Sequence, residues 1–364
     1  MKKYPLLFDM HAHFRTPGQE YKEDINTGTA SANAGGYFGV CTMPNTIPVI
    51  DNPEQIKRIN ENGVDVYQIS AITKGLTSSE FVDFDAMKNA GAIAFSNDGV
   101  PVYKEDIAKQ AMQEAYRVGL PMIEHCEDTG VANWQGQAIT YKEYLDLTGE
   151  ESEDYALDAK LWYGNPNVES NMVERDCKLS YKLNVPIHLA HISCKRSIEI
   201  IEKYKDKGAK ITCETAPHYI SLDATATIAK GAMAKMNPPL RSKADVIACR
   251  NALKTGIIDC IATDHAPHAD YEKASLEKSC NGIIGLETAF SVCYTYLVKT
   301  GILTLDELFG KMSINPAKIM NIAIPSDRHL EVLDEPIIYK TFKSKASNSP
   351  YIAEQLWGNV KIVS

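Results

Sequence analysis

The sequence has no apolar run approaching the ~18 residues of a bilayer span. It also has no C-x-x-C pair, no low-complexity tract and no tandem repeat. Lys2 and Lys3 lead into a short apolar stretch that meets Asp9 almost at once, which is not the pattern of a secretory leader. Basic charge is in deficit: 38 basic against 47 acidic residues leave a net charge of −9. So little positive surface excludes broad phosphate neutralisation, and neither nucleic acid nor membrane is expected as a partner. Nine cysteines, an odd number without paired spacing in 364 residues, read as the reduced thiols of a cytoplasmic protein. No dinucleotide fingerprint follows the first strand, and the glycine pairs Gly35-Gly36 and Gly282/Gly285 read as turns.

What the chain does have is a hydrophobic fraction of 44%, enough for a substantial core. Short β-branched runs alternate with longer helical patterns, the mark of a parallel sheet built from βα units. Strands are predicted at Pro5–His13, Phe38–Met43, Val64–Ser70, Ala92–Ser96, Met122–Cys126, Ile187–Ile192, Lys210–Thr215 and Ile257–Thr263. Eight such strands point to an α/β fold of the (β/α)₈ TIM-like barrel type, with an open doubly wound sheet as the alternative. The pattern changes after Pro325. Residues 1–325 are therefore expected to form the barrel, and 326–364 a small β appendage packed on it. The long interval from Glu127 to Asn184 predicts a loop insertion before a long helix ending near Leu183.

Six of the nine histidines fall at the C-terminal ends of predicted strands, where the βα loops of a barrel converge. A lone histidine there would more often be structural; the joint placement overturns that reading. On the first strand, side-chain alternation puts Asp9, His11, His13 and Arg15 on one face. Two imidazoles at i, i+2 can grip one divalent cation, and the planar fork of Arg15 suits a carboxylate. On the fourth strand the small residues Ala92, Ala94 and Ser96 share a parity with Asp98, which aims Asp98 at the mouth and Asn97 away. Taken alone, Asp98-Gly99 reads as a turn. On the fifth strand His125 has the inward parity and Glu124 the opposite. On the sixth, His191 lies nearer the mouth, and His188 reads as a buried structural histidine. Asp264, after the eighth strand, could touch a metal and accept a proton from the attacking water. Four histidines and two aspartates exceed the three protein ligands of one catalytic zinc. They suit two ions ~3.5–4 Å apart with Asp98 between them.

These motifs resemble the dihydroorotases of the amidohydrolase superfamily, in the branch related to hydantoinases and allantoinases. The resemblance rests on D-M-H-A-H-F-R (Asp9–Arg15), M-P-N-T (Met43–Thr46), A-F-S-N-D-G (Ala94–Gly99) and E-H-C-E-D (Glu124–Asp128). It continues through H-L-A-H-I-S (His188–Ser193), N-P-P-L-R (Asn237–Arg241) and T-D-H-A-P-H (Thr263–His268), in family order over nearly the whole chain. It implies a metal-dependent hydrolase that interconverts L-dihydroorotate and N-carbamoyl-L-aspartate in pyrimidine biosynthesis, with two divalent ions, zinc foremost. His11, His13 and Asp264 would hold one ion, His125 and His191 the other. Asp98 would replace the carboxylated lysine that bridges the ions in many relatives. Asp264 would be the catalytic acid and base, and Arg15, Asn45, Asn237 and His268 would bind the substrate. The chain departs from relatives that begin with about fifty residues of β-structure, so that part is expected to be reduced to the tail. The resemblance also suggests a homodimer or a complex with aspartate transcarbamoylase. Three other readings remain: a hydantoinase-like or allantoinase-like cyclic amidase, an inactive barrel that partners aspartate transcarbamoylase, and a mononuclear deaminase. Retention of His11, His13, His125, His191 and Asp264 opposes the second, and the M-P-N-T and N-P-P-L-R segments oppose the third.

Overall fold

The computed structural model describes residues 2–152 and 155–363. Met1 and Ser364, the outer ends of the two expected units, and Glu153 and Asp154, within the expected insertion, lie outside the described residues. In chain order the strands are β1 Leu7–Ala12, β2 Tyr37–Thr42, β3 Ile59–Glu61, β4 Val64–Gln68, β5 Phe95–Ser96, β6 Met122–Glu124 and β7 Gln137–Thr140. They continue with β8 Lys160–Tyr163, β9 Ile187–Leu189, β10 Ile211–Thr215, β11 Cys260–Ile261, β12 His329–Ile338 and β13 Gln355–Val363. All eight anticipated strands are present, as β1, β2, β4, β5, β6, β9, β10 and β11.

They lie in two sheets. One has the order β1-β2-β4-β3, with β3 antiparallel to β4; the other is β11-β10-β9-β6-β5, parallel throughout. Two parallel bridges join the sheets. Ser70, beyond β4, pairs with Phe95, with Ser70 N donating to Ala94 O at 3.0 Å and Ser96 N to Ser70 O at 2.9 Å. Ala12 pairs with His265, with Asp264 N donating to His11 O at 3.0 Å and His13 N to His265 O at 2.8 Å. The second junction brings the first and the last of the parallel strands together at the residues of interest.

Alternation sorts the side chains as the sequence suggests. Phe95 packs outward on Phe84 of the helix Phe84–Ala90, ring centroids 4.3 Å apart, while Ala94 is buried on the other side. The interval after β6 holds the β7–β8 hairpin and the helix Tyr141–Thr148, whose N-terminus is closed by a Thr140–Glu143 capping box. The following helix runs Asn167–Leu183 and stops at Asn184, which takes φ 55° and caps it. β12 and β13 pair antiparallel, and a Tyr4–Leu330 bridge ties the hairpin to the chain before β1. All nine cysteines are free and all but Cys280 are buried. Among the described residues no helix is long and apolar enough to cross a membrane.

Candidate active site

Every residue singled out for the cluster sits at or just past the C-terminal end of a parallel strand. Three of them take left-handed backbone conformations that side chains normally avoid: Arg15 at φ 57°, His191 at φ 37° and Asp264 at φ 49°. Strain of this kind collects at functional sites, where the surrounding fold over-determines it. Its effect here is to break the strand and swing the side chain over the mouth.

Asp98 is the hub. Its Oδ1 lies 3.3 Å from His11 Nε2, 3.5 Å from His125 Nδ1 and 3.8 Å from His191 Nε2. Its Oδ2 lies 3.5 Å from His13 Nε2 and accepts from Asn45 Nδ2 at 3.1 Å. Asp264 Oδ1 lies 3.2 Å from His13 Nε2 and 3.6 Å from His11 Nε2. His125 Nδ1 and His191 Nε2 approach to 2.7 Å. Within the cluster two groups fit within the reach of a single cation, His11–Asp98–His191 and His11–His13–Asp264, all buried. Asn97 turns away, its Oδ1 accepting from Ile72 N and Thr73 N, as the parity argument expects.

For His11, His13 and His125 the partner of the opposite ring nitrogen explains which edge the imidazole shows. His11 Nδ1 meets Glu214 Oε1 at 2.7 Å, His13 Nδ1 meets Asn45 Oδ1 at 3.0 Å, and His125 Nε2 meets Glu127 Oε2 at 2.9 Å. A carboxylate behind an imidazole fixes its tautomer and leaves the other nitrogen as a lone-pair donor. His11 Nε2 is shielded from solvent and has no hydrogen-bond partner among the described residues, the expected state of a nitrogen built to take a cation. His188 lies below, with Nδ1 2.8 Å from Thr212 Oγ1 and Nε2 3.4 Å from Glu214, outside the cluster as anticipated. Asp9 accepts from Thr263 and from His11 N and holds the first strand against the last.

The electrostatics agree with the geometry. Burial works against the charged form of both aspartates. For Asp98, the imidazoles of His11, His125 and His191 outweigh it and hold the carboxyl well below its usual range. Asp264 is likewise held down, by His13, His11 and His191. Burial disfavours a charged His125, yet Glu127 and Asp98 push it up to about 10. Without cations, protons balance the carboxylates, and this donor set suits divalent metal in their place.

The cavity over the cluster is lined by Arg15, Asn45, Gln135, Asn237, Asn281 and Gly282, among others. Arg15 Nε donates to Pro267 O at 3.2 Å, and its Nη2 lies 3.4 Å from His268 Nε2. His268 is buried, its Nε2 2.8 Å from the Asn281 carbonyl oxygen. Asn237 donates from Nδ2 to Glu127 Oε1 at 2.8 Å. Sequence reasoning missed Glu127 and Glu214. Glu127 had a usable signal, since it shares the inward parity of His125. Glu214 had only its place on β10, an acid within a buried strand.

The parallel scaffold is shared with cyclic-amide hydrolases of known structure. It superposes on an L-hydantoinase (dihydropyrimidinase) from Arthrobacter aurescens with TM-score 0.79 at 21% identity, covering 98% of this chain and 83% of that one. It also superposes on a dihydropyrimidinase from Brevibacillus agri with TM-score 0.78 at 19% identity, covering 100% and 83%. The fold is thus one shared with these hydantoinase and dihydropyrimidinase structures, and the cluster adds His/Asp groups able to hold metal. Within that class residues 3–197 match the Dihydro-orotase-like family. The chain is 41% identical to a dihydroorotase of Acetivibrio thermocellus, over 98% of this chain and 84% of that protein, and 39% identical to one of Ruminiclostridium cellulolyticum, over 97% and 83%. It belongs to the dihydroorotase family.

Proposed function

We propose that the protein is a dihydroorotase that interconverts L-dihydroorotate and N-carbamoyl-L-aspartate with a pair of divalent cations, zinc foremost. The observation that carries this is Asp98 within 3.8 Å of four imidazole nitrogens, with an arginine beside the cluster. His11, His13 and Asp264 would hold one cation, His125 and His191 the other, and Asp98 would touch both. Bound there, the cations would acidify a water towards pKa ~7 and offset charge on the ring carbonyl oxygen.

The chain's own groups do the rest. In hydrolysis the water oxygen bonds to the amide carbon, and the ring C–N bond breaks. The Asp264 carboxylate accepts the water's proton and delivers it to the departing nitrogen. In ring closure the nitrogen attacks the carboxyl carbon; protonated Asp264 gives one proton to the departing oxygen and the nitrogen sheds the second, so that the oxygen leaves as water and Asp264 is left as the carboxylate. Closure converts a carboxylate to a neutral amide and so consumes one proton overall, which makes lower pH favour the ring. Arg15 pairs with the ring's carboxylate, Asn45 and His268 support it, and Asn237 meets the ring itself. Hydantoin has no such carboxylate, which favours dihydroorotate over the hydantoinase reading.

We read the two joined sheets as one closed (β/α)₈ barrel, supported by the Ser70–Phe95 and Ala12–His265 bridges, with 326–364 as its β appendage. Metal analysis alongside turnover tests the function. Two cations per chain and activity on dihydroorotate but not on hydantoin or allantoin are expected; a metal-loaded protein inert towards dihydroorotate overturns it.

A further inference from the structure

Glu127 is buried between two groups with different tasks. One oxygen meets His125 Nε2 at 2.9 Å and the other accepts from Asn237 Nδ2 at 2.8 Å. Neither neighbour is close in sequence to the other, and both line the cavity. His125 Nδ1 lies 3.5 Å from Asp98 Oδ1, in the cluster. Asn237 Oδ1 is shielded from solvent and has no hydrogen-bond partner among the described residues, and Asn237 lines the cavity. A carboxylate only accepts hydrogen bonds, so it dictates both orientations at once. The imidazole must carry its proton on Nε2, leaving Nδ1 a lone pair. The amide must turn its NH₂ to Glu127, leaving its carbonyl oxygen for a donor from elsewhere. A buried acceptor without a partner is costly unless something supplies one. A cyclic amide or ureide ring carries N–H groups of the required kind.

We propose that Glu127 is a positioning residue that sets, through one carboxylate, both the cation-facing edge of His125 and the substrate-facing oxygen of Asn237, which accepts a ring N–H. The inference rests on the cyclic-amidase reading of the site. It makes the cation cluster and the specificity pocket two ends of one hydrogen-bonded unit.

Glu127→Gln discriminates, because a carboxamide has one accepting oxygen and one NH₂. It can keep His125 or Asn237 correctly oriented, but not both. If it keeps His125, its NH₂ faces that of Asn237, the side chain turns over, and KM rises about tenfold for the lost ring contact. If it keeps Asn237, His125 changes tautomer, and cation affinity by chelator competition falls about 10- to 100-fold. In an Asn237→Ala background the conflict is gone, so the same change should leave KM where Asn237→Ala alone puts it. Unchanged KM and cation affinity in Glu127→Gln, or effects that simply multiply in the double variant, overturn the proposal. Asn237→Ala alone gives a check that leaves Glu127 intact: KM up about tenfold with kcat and cation affinity kept. A fall in kcat at unchanged KM refutes the Asn237 role. Failure of the metal-loaded wild type to turn over dihydroorotate would sink the function instead, and the chelator titration would still judge Glu127.

Discussion

Asp98 touches all four imidazoles of the cluster, so replacing it removes charge from both proposed cation positions at once. Asp98→Asn keeps the shape and loses the charge. It should lower the cation content of purified protein and cut turnover on the order of 100-fold or more; full occupancy and full activity would show that Asp98 is no bridge. Arg15→Lys keeps charge but loses the planar fork, so KM for dihydroorotate should rise about 10- to 100-fold with a smaller change in kcat. An unchanged KM in steady-state assays would remove Arg15 from the carboxylate. Much at this scale was legible in the sequence because strand alternation is a local rule: it chose Asp98 over Asn97 and His125 over Glu124. Glu214 escaped because its meaning lies in His11, 203 positions away, and no local pattern announces such a pair.

At the scale of elements, the strands were readable because each is a short apolar run between helical stretches. Their ends were not, since β5 and β11 stop after two residues and the site residues follow in irregular backbone. The left-handed turns at Arg15, His191 and Asp264 carry no glycine or asparagine signal, so sequence could place these residues near the mouth without showing how they reach over it. The terminal hairpin is tied down at Gly358, which takes φ 83° and where an added Cβ would fall 2.4 Å from the Tyr294 ring. Gly358→Ala should therefore destabilise the protein by about 1–3 kcal/mol through overpacking. With every proposed ligand outside the hairpin, kcat at 25 °C should stay at the wild-type value. A matched loss of kcat, measured below the onset of unfolding, would show that the tail shapes the site.

At the scale of the whole molecule, the first and last parallel strands meet at the cluster: Ala12 bridges His265, and Thr263 binds Asp9. Whatever stabilises the cluster therefore stabilises the junction of the two sheets. Sequence could imply such a junction only by counting eight strands, because pairing between residues some 250 positions apart leaves no local trace. Cations that bind only the folded cluster add stability as RT ln(1 + [L]/Kd), about 2.7 kcal/mol at 100 Kd. To bind them, the histidines must give up protons. In the metal-free protein Glu127 and Asp98 overcome burial and push His125 up to about 10, and His11 is raised well above its usual value by Asp98 and Glu214. A raised imidazole pKa means the metal-free fold gains from holding protons at low pH and loses that gain as pH rises towards 10, while cation affinity moves the opposite way. The melting temperature of the metal-loaded protein should thus exceed that of the chelated protein by more at pH 8 than at pH 6, and calorimetric cation titrations in buffers of different ionisation enthalpy should register proton release. Equal gaps at both pH values, with no protons released, would mean that cations bind elsewhere and that the buried histidines and aspartates serve the fold alone.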